Sequence, residues 1–424
     1  MKPRQWILIA LVFWLSVAVR ASVGAPPAAQ GAGQAAAPSG APPRPSEAAR
    51  AAVAKRQPIN TIKDSRSVFS AIDVDPVRNE LIAGDENNFN VSVYDRTTNT
   101  PPKAALSEPK RSIQGDNTFL EFVCEIYVDP PSGDIYAINN DTLNWMTVWG
   151  RDANGNVAPK RKLATPQTTV RLAVDEETQE LFITVQDDHA IIVFRKTAAE
   201  NDPPVRTIQG PATQMADPHG IAIDPKTRLV YVTNWGTVAD RDYSIKTTTL
   251  NRGEGKPNWP VGREANIAGT GRSQMPSITV YRKDATGNAA PLQVIQGPQT
   301  QLNWPTEIAV HPERGEIFVA NDTGHSVTVY RTNADGNAAP IRVIKGPKSM
   351  INHPVGVKVD VKNNELWVAN LGSHSATVYD IAANGDATPK RVIRSGPADS
   401  RGPMLANPHT LAYDSRRGQI LASN

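Results

Sequence analysis

The sequence predicts an all-β protein, a seven-bladed β-propeller with four-stranded blades. Three observations predict it: a unit of about 50 residues recurs along the chain, each unit contains four short β-type runs, and no helical period of apolar residues is present. Repeats of this length with four strands each are typical of propeller blades. The predicted propeller covers residues 56–424.

The first two runs of the unit occur seven times in register. One copy, IAVHPERGEIFVAN, shows the pattern of two apolar runs joined by a polar turn. The aligned residues that end the first run are Asp75, Asp129, Asp175, Asp224, His311, Asp360 and Asp414, spaced 54, 46, 49, 87, 49 and 54 residues apart. The longest spacing contains an inserted loop at 237–276.

A displaced fourth run predicts how the ring closes. RQPINTIKD, at residues 56–64, matches PIRVIKG at 340–346 in form but precedes the first unit. Only two runs of the seventh unit are present, so we expect the N-terminal strand to join the C-terminal blade and complete it. Such closure removes exposed strand edges. The alternative count is six blades and a separate hairpin.

The segment before the repeats is predicted to lie outside the folded domain. A basic start and the apolar run from Trp6 to Val19 are typical of a signal peptide over residues 1–21, and this run is short for a membrane span. An uncleaved signal anchor is the alternative, and membrane attachment is expected only in that case. Residues 22–55 are rich in Ala, Pro and Gly and predict a disordered spacer. The expected location is periplasmic or secreted.

Charge and cysteine content limit the function classes. The chain has 45 Lys and Arg against 42 Asp and Glu, and residues 1–21 hold three of the bases, which leaves 42 against 42. A mature chain that is neutral has no overall electrostatic attraction to nucleic acid, which we exclude as a partner. The single cysteine, Cys124, excludes an internal disulfide and is expected to be a small buried side chain.

Two segments carry a family resemblance: DPHGIAIDPKTRLVYVTNWG at 217–236 and SVTVYRTNADGNAAPIRVIKG at 326–346. They resemble the NHL and YVTN β-propeller repeats of bacterial secreted proteins. Propellers of this type include receptors, scaffolds, lactonases and lyases, so the resemblance implies an architecture and leaves the function open. Lyase-type members place a metal on the tunnel axis with histidines from PHG-like turns. The resemblance implies such a role for His219, in DPHG, whereas His409 stands in NPHT and lacks the glycine.

Candidate ligand-binding residues follow from the geometry of a propeller. The start of each inner strand and the end of each second strand lie on one face, around the mouth of the central tunnel. Charged, amide and aromatic side chains at these positions are predicted to bind a ligand: Glu125, Arg171, His219, Glu307, His409, Asn234, Trp235, Asn321 and Asn370. His219 and His409 share a repeat position and, with Glu125 or Glu307 nearby, predict a divalent metal site. The alternative is that each histidine only bonds the neighbouring turn.

The charged residues of the inner strands have two interpretations. Period-2 alternation places Glu125, Arg171 and Glu307 in the register that faces the tunnel. Arg171 predicts an anion- or sugar-binding site, whereas charge pairing between adjacent blades predicts a structural role. For the structural role we expect Glu125 to pair with Arg171 and Glu307 with Lys358, at nitrogen–oxygen separations of about 4 Å or less.

The insertion at 237–276 emerges at the tunnel-mouth face and is mildly basic, with six bases and four acids. Tyr243 and Trp259 stand in its Gly- and Pro-rich sequence. Long insertions of this kind in compact domains are functional or disordered. We predict a lid or binding loop that carries Tyr243 and Trp259, and the alternative is a mobile decoration of the surface.

Two function hypotheses follow from these patterns. The first is a non-catalytic, monomeric binding or scaffold module outside the cytoplasm, without a cofactor, whose partner at the tunnel mouth is a protein, peptide or polysaccharide. The alternative is a metal-dependent lactonase or lyase that uses His219 and His409. The sequence contains no nucleophile elbow, P-loop, dinucleotide fingerprint or CxxC pair.

Overall fold

The chain is all-β in the computed structural model, as predicted. The structure describes residues 69–86, 88–140, 144–239, 241–247, 263–266, 270–394, 396, 410–414 and 419–423. The predicted signal peptide, the spacer and the strand at 56–64 lie outside these residues. No helix in the described part of the chain has the length and apolar character of a membrane span.

Six blades each contain four antiparallel strands in sequence order. The first blade consists of β1 (Phe69–Asp75), β2 (Glu80–Asp85), β3 (Asn90–Asp95) and β4 (Arg111–Gln114). The second consists of β5 (Phe122–Val128), β6 (Ile135–Asn140), β7 (Trp145–Trp149) and β8 (Arg161–Ala164). The third consists of β9 (Thr169–Asp175), β10 (Glu180–Val185), β11 (Ala190–Arg195) and β12 (Arg206–Gln209).

The fourth blade is the one that carries the insertion. It begins with β13 (Pro218–Asp224) and β14 (Leu229–Asn234), continues through the inserted β15 (Thr237–Val238), β16 (Arg241–Thr247), β17 (Arg263–Asn266) and β18 (Arg272–Ser273), and ends with β19 (Ser277–Arg282) and β20 (Gln293–Gln296). The fifth blade consists of β21 (Pro305–His311), β22 (Glu316–Asn321), β23 (Ser326–Arg331) and β24 (Arg342–Ile344). The sixth consists of β25 (Pro354–Asp360), β26 (Glu365–Asn370), β27 (Ser375–Asp380) and β28 (Arg391–Arg394). Short 3-10 helices occupy Asp116–Thr118, Pro211–Thr213, Pro298–Thr300, Pro347–Ser349 and Leu371–Ser373.

The aspartate that recurs at the end of the first strand forms the turn to the second strand, as the first and fourth blades show. Asp75 Oδ1 accepts the backbone N–H groups of Val77 and Arg78, each at 2.9 Å. Asp224 Oδ1 accepts that of Lys226 at the same distance. A carboxylate placed in this way supplies the acceptor that the turn backbone lacks, which explains why aspartate recurs at this position.

The core consists of apolar layers between blades. Six buried clusters are present in the described residues, and each joins two neighbouring blades. Cys124 packs in the layer between the second and third blades, which confirms that it is a small buried side chain. The layer between the sixth and first blades contains, among others, Phe69, Ile72, Tyr94, Trp367 and Ile393.

Backbone hydrogen bonds also join neighbouring blades. The segment between the third and fourth strands reaches the fourth strand of the preceding blade, where Gly155 N–H donates to Ser112 O and Gly287 N–H donates to Thr207 O, both at 2.7 Å. Both glycines have left-handed backbones, with φ of 74° and 61°. Glycine adopts this conformation without a steric penalty, so the tight turn can approach the neighbouring strand.

Backbone hydrogen bonds of the same kind join the first and sixth blades. Thr100 N–H donates to Val392 O at 2.9 Å, and Ser107 N–H donates to Arg394 O at 3.1 Å. The inner strands β1 and β25 are also in contact. In the described residues, therefore, the closing seam of the ring joins the first blade directly to the sixth.

The seventh copy of the first two runs forms a hairpin of two strands. It consists of β29 (Thr410–Asp414) and β30 (Gln419–Ser423), paired antiparallel. The described residues thus contain six complete blades and a hairpin, as in the alternative count. The predicted pairing of 57–64 with 418–424, which would complete a seventh blade, lies outside them.

Candidate functional site

Four charged side chains from different blades form what we call the axial cluster: Glu125 on β5, Arg171 on β9, Glu307 on β21 and Lys358 on β25. Arg171 Nε lies 3.3 Å from Glu125 Oε2 and 2.7 Å from Glu307 Oε2. Lys358 Nζ lies 2.9 Å from Glu125 Oε1. Arg171 Nη2 donates to Val355 O, in the blade opposite, at 2.8 Å. These side chains therefore cross the axis of the ring.

The axial cluster confirms one predicted pair and corrects the other. Glu125 and Arg171, from adjacent blades, form the expected contact. Glu307 contacts Arg171 instead of Lys358, and Lys358 contacts Glu125. The reason is that the ring is narrow at its axis, so long side chains reach past their immediate neighbours. Protein groups therefore pair with the guanidinium charge of Arg171, which favours the structural interpretation.

The carboxyl groups in and around the axial cluster differ in pKa. Burial raises the pKa of Glu307 well above its ordinary value, and neighbouring Glu125 adds to the effect. Burial acts in the same direction on Glu125, but Lys358, a hydrogen bond from Glu307 and Arg171 together lower its pKa. Burial raises the pKa of nearby Asp73 to about 6. Glu307 therefore holds its proton to higher pH than Glu125 does, although both carboxyl groups lie against Arg171.

A stack of aromatic rings lies at the tunnel mouth, on the fourth and fifth blades. The His219 ring stacks on Trp235 with centroids 3.5 Å apart and planes inclined by 12°. Trp304 packs on Trp235 with centroids 4.7 Å apart. Trp235 Nε1 donates to Pro305 O at 3.1 Å, which ties the fourth blade to the start of the fifth. Burial lowers the pKa of His219, so its imidazole is neutral at pH 7.

The predicted metal pair is only half within the described residues. His219 Nε2 lies 3.5 Å from Asp217 Oδ1, and both side chains are buried. His409 lies outside the described residues. Within the part of the chain that the structure describes, no group of three or more His, Cys, Asp or Glu side chains is placed to hold a metal ion. The pair of His219 and His409 stays a prediction.

The asparagines at the ends of the second strands are engaged within the protein. Asn321 Nδ2 donates to Thr328 Oγ1 at 3.0 Å, and its Oδ1 accepts the backbone N–H of Asn303 at 2.9 Å. Asn234 and Asn370 make the corresponding bonds, and all three are fully buried. Each amide therefore holds the entry loop of its blade against the third strand, and this structural role explains why asparagine recurs there.

The insertion begins and ends as a β-ribbon. Strand β15 pairs with β18, and β16 pairs with β17. At its base, between the third and fourth blades, lies a cavity of about 490 Å³. Residues of both blades and of the insertion line this cavity, including Gln209, Gln214, Val238, Arg272, Gln274 and Gln296. Of the predicted lid residues, Tyr243 lies in β16 and Trp259 lies outside the described residues.

Two residues of this face escaped the sequence analysis. Glu86 is buried, and burial, reinforced by Asp85, raises its pKa to about 8. Trp304 precedes β21 and is 37% exposed. Glu86 follows the end of the second strand as Trp235 does, so the repeat alignment contained its signal. Trp304 has no such signal, because the equivalent residues of other blades differ in type.

A repeated histidine was also missed. His189, His325 and His374 each stand four residues after the end of a second strand, with φ of 46–47°. His189 Nδ1 accepts the backbone N–H of Asp217 at 3.0 Å, and His325 Nδ1 accepts that of His353 at 3.1 Å. The imidazoles of His189 and His325 therefore join neighbouring blades. The constant spacing was the available signal.

Comparison with known proteins supports the fold. A family model described as "Lactonase, 7-bladed beta-propeller" matches residues 268–403, which is less than half of the chain. Among solved structures, the chain is similar to the hydrazine synthase of Kuenenia stuttgartiensis, at 13% identity and a TM-score of 0.49, over 78% of this chain and 100% of that chain. That likeness is too low to carry an argument. No curated protein matches the sequence. The family match and the four-stranded blades together show that the chain is a β-propeller protein.

Proposed function

We propose that this protein is an exported, non-catalytic binding or scaffold module whose ligand lies on the tunnel-mouth face. The observation that carries the proposal is the cavity of about 490 Å³ at the seam of the third and fourth blades. Ligand pockets in proteins fall in this range of volume. The base of the insertion forms one wall through Val238 and Arg272, so the insertion is positioned to contact a bound molecule.

The axial cluster supports a ligand on the face rather than deep in the tunnel. Glu125, Arg171 and Glu307 are buried and in contact with one another across the axis. A ligand that entered between them would have to separate these groups and leave charges unpaired in a poorly solvated site. Such separation is costly, which favours ligand contacts above the axial cluster.

The proposed partner is an extracytoplasmic protein, peptide or polysaccharide. The predicted signal peptide supports a periplasmic or secreted location, and the resemblance to NHL and YVTN repeats is consistent with it. The neutrality of the chain after residue 21 argues against nucleic acid. We propose a monomer without a cofactor, because the cavity lies between blades of one ring.

The test is to shorten the insertion without touching the ring. Replacement of residues 240–269 by a short Gly/Ser linker keeps the ladder of β15 and β18 at the base. We expect an unchanged melting temperature and loss of saturable binding on arrays of polysaccharides and peptides, because surface loops tolerate replacement while binding contacts do not.

The matched control for the shortened insertion changes the opposite face. Val77 lies there in a turn and is 68% exposed, so Val77→Ser should leave both folding and binding unchanged. Equal binding by the shortened chain and the wild type would contradict a role for the insertion. Absence of any ligand in the arrays, together with turnover of a substrate, would contradict the binding module.

The family match over residues 268–403 favours a second candidate, a metal-dependent lactonase or lyase. In this hypothesis His219 and His409 hold a divalent ion. The test is elemental analysis of the purified protein together with lactone hydrolysis by the wild type and by His219→Ala. A stoichiometric metal and a hydrolytic activity that are both lost in the variant would replace the binding proposal.

A further inference from the structure

Trp304 occupies a backbone position that does not suit a large side chain. Its φ is 54°, it precedes Pro305, and it is 37% exposed. The equivalent residues before other inner strands, Thr168, Asp217 and His353, also have positive φ, between 46° and 61°. The fold therefore requires the left-handed conformation here, and Asn or Asp adopts it more readily than a bulky residue does. Backbone geometry does not explain tryptophan at this position.

The Trp304 ring is held in place by its neighbours. It packs on Trp235, with a tilt of 57° between the rings, and Trp235 is itself fixed by stacking on His219 and by its bond to Pro305. This arrangement restricts the indole while leaving part of it exposed. A fixed, partly exposed aromatic ring provides a flat apolar surface for a ligand at low entropic cost.

The stacked rings of Trp304, Trp235 and His219 form a platform on the fourth and fifth blades. The cavity between the third and fourth blades is lined by amide side chains. Gln209, Gln214, Gln274 and Gln296 line it, and none of them carries a charge. Gln209 Nε2 donates to Asp188 O at 2.8 Å and Gln296 Nε2 donates to Met275 O at 2.7 Å, which fixes the orientation of both amides. Amides both donate and accept hydrogen bonds, as hydroxyl groups do.

Platform and cavity are linked through the fourth blade. Val238, which lines the cavity, follows Trp235 by three residues. His189 also lines the cavity, and its Nδ1 accepts the backbone N–H of Asp217, whose carbonyl in turn accepts the N–H of Trp235. These bonds fix the start of the fourth blade, which carries the platform, against a residue that lines the cavity.

From the platform and the cavity together we infer that the ligand of the proposed binding module is a neutral polysaccharide several sugar rings long. The inference rests on the proposed function and names its ligand class. A sugar ring has an apolar face that stacks on an indole and a rim of hydroxyl groups that bond amides. One acid, Asp188, and one base, Arg272, offset each other in the lining, so the cavity presents no excess charge to a charged peptide or an acidic glycan.

The experiment measures binding of soluble dextran, laminarin, hydroxyethylcellulose and galactomannan by affinity electrophoresis, with alginate as the charged comparison. Trp304→Asn removes the ring and keeps a residue that suits the backbone, so the variant should fold with an unchanged or higher melting temperature. We expect at least one neutral polysaccharide to bind the wild type and to bind Trp304→Asn about tenfold or more weakly, with little effect of alginate.

The matched control is Phe89→Asn, which makes the same kind of change at another exposed left-handed residue. Phe89 has a φ of 54°, is 45% exposed and lies on the first blade, away from the cavity. Its variant should bind as the wild type does. Polysaccharide binding that survives Trp304→Asn would overturn the site. Absence of polysaccharide binding, alongside peptide binding that the shortened insertion abolishes, would overturn the ligand class and leave the proposed function standing.

Discussion

Arg171 is the residue on which the arrangement at the axis depends. It is 5% exposed and contacts both Glu125 and Glu307, so its charge is neutralised within the protein. Removal of one partner from a buried ion pair lowers stability strongly, because the remaining charge is left without a counter-charge. Removal of all the paired charges together lowers stability much less. The axial cluster therefore acts as a unit.

We predict a strong departure from additivity within the axial cluster. Arg171→Met should lower the free energy of unfolding by about 3–5 kcal/mol, because Glu125 and Glu307 lose their shared cation. The triple variant Arg171→Met, Glu125→Gln, Glu307→Gln should lower the free energy of unfolding much less. Urea denaturation at pH 7 measures both. The control is Arg282→Met, a change at an arginine whose side chain is 68% exposed and pairs with exposed Asp284. Additive costs would show that these residues do not interact, and Arg171 would again be a candidate ligand anchor.

Glu86 predicts a pH dependence of stability. The folded protein holds this carboxyl proton up to about pH 8, whereas the unfolded chain loses it near the ordinary pKa of 4.5. The folded state binds more protons between these values, so the contribution of Glu86 to stability falls as pH rises through this window. At pH 9 the free energy of unfolding of Glu86→Gln should therefore exceed that of the wild type by a few kcal/mol.

The comparison of Glu86→Gln with the wild type must be made at two pH values. Near pH 4 the carboxyl is protonated in both states, so the difference in the free energy of unfolding should approach zero. Denaturation curves at pH 4 and pH 9 measure it. A difference that is the same at both pH values would show that Glu86 does not titrate in this window.

Four blades share an ion pair between the second and fourth strands. The pairs are Glu80 with Arg111, Glu180 with Arg206, Glu316 with Arg342 and Glu365 with Arg391, at 2.5–2.8 Å. Hydrogen bonding to Arg111 lowers the pKa of Glu80 to about 2. In three of these blades the guanidinium also lies over a ring of the second strand, Phe182, Phe318 or Trp367.

The ion pair of the fifth blade gives a prediction for acid stability. Burial acts to raise the pKa of Glu316, but Arg342 and Arg314 outweigh it and lower the pKa to about 2. This pair stabilises the fold above the ordinary pKa of 4.5, and the contribution is lost as pH falls toward 2. Glu316→Gln should lower the free energy of unfolding by about 1–3 kcal/mol at pH 7, and by progressively less below pH 4.5.

The control for Glu316→Gln is Glu313→Gln on the same blade. Glu313 is 72% exposed and 3.4 Å from Lys226, so its loss should not change stability measurably. Thermal denaturation at pH 7 and pH 3 compares the two variants. Equal effects at pH 7 would indicate that the buried pair contributes no more than a surface pair.

The closed seam between the first and sixth blades predicts which shorter chain should still fold. The seam between the first and sixth blades has an apolar layer and interblade backbone bonds of the kind seen at other seams. A chain of residues 64–406, which retains all six blades, should therefore melt cooperatively at a temperature close to that of residues 56–424. Calorimetry of both chains is the measurement. Broad, non-cooperative melting of the shorter chain would show that a seventh blade is needed for closure.

Short-range features of the fold could be predicted from the sequence. Strand alternation, the turns at aspartates such as Asp224 and the seven copies of the first two runs depend on residues that are close in the chain. Asp224 accepts a hydrogen bond from the backbone N–H of Lys226, two residues away, so the contact depends on a short stretch of sequence. For the candidate site, the structure adds that Asn234 and Asn321 are bonded within their blades, and a ligand at the tunnel mouth stays a prediction.

The sequence by itself determined the repeated strands, the residue types at the tunnel mouth and the neutrality of the chain after residue 21, because each depends on local pattern or composition. Only the tertiary structure decided which blades meet at the closing seam, which charges pair across the axis and that Trp304 stands on Trp235. Arg171 and Val355 are bonded although 184 residues separate them in the chain. Such contacts depend on the radius of the closed ring. That radius is set by the packing of all the blades together, so the sequence of a single blade does not determine it.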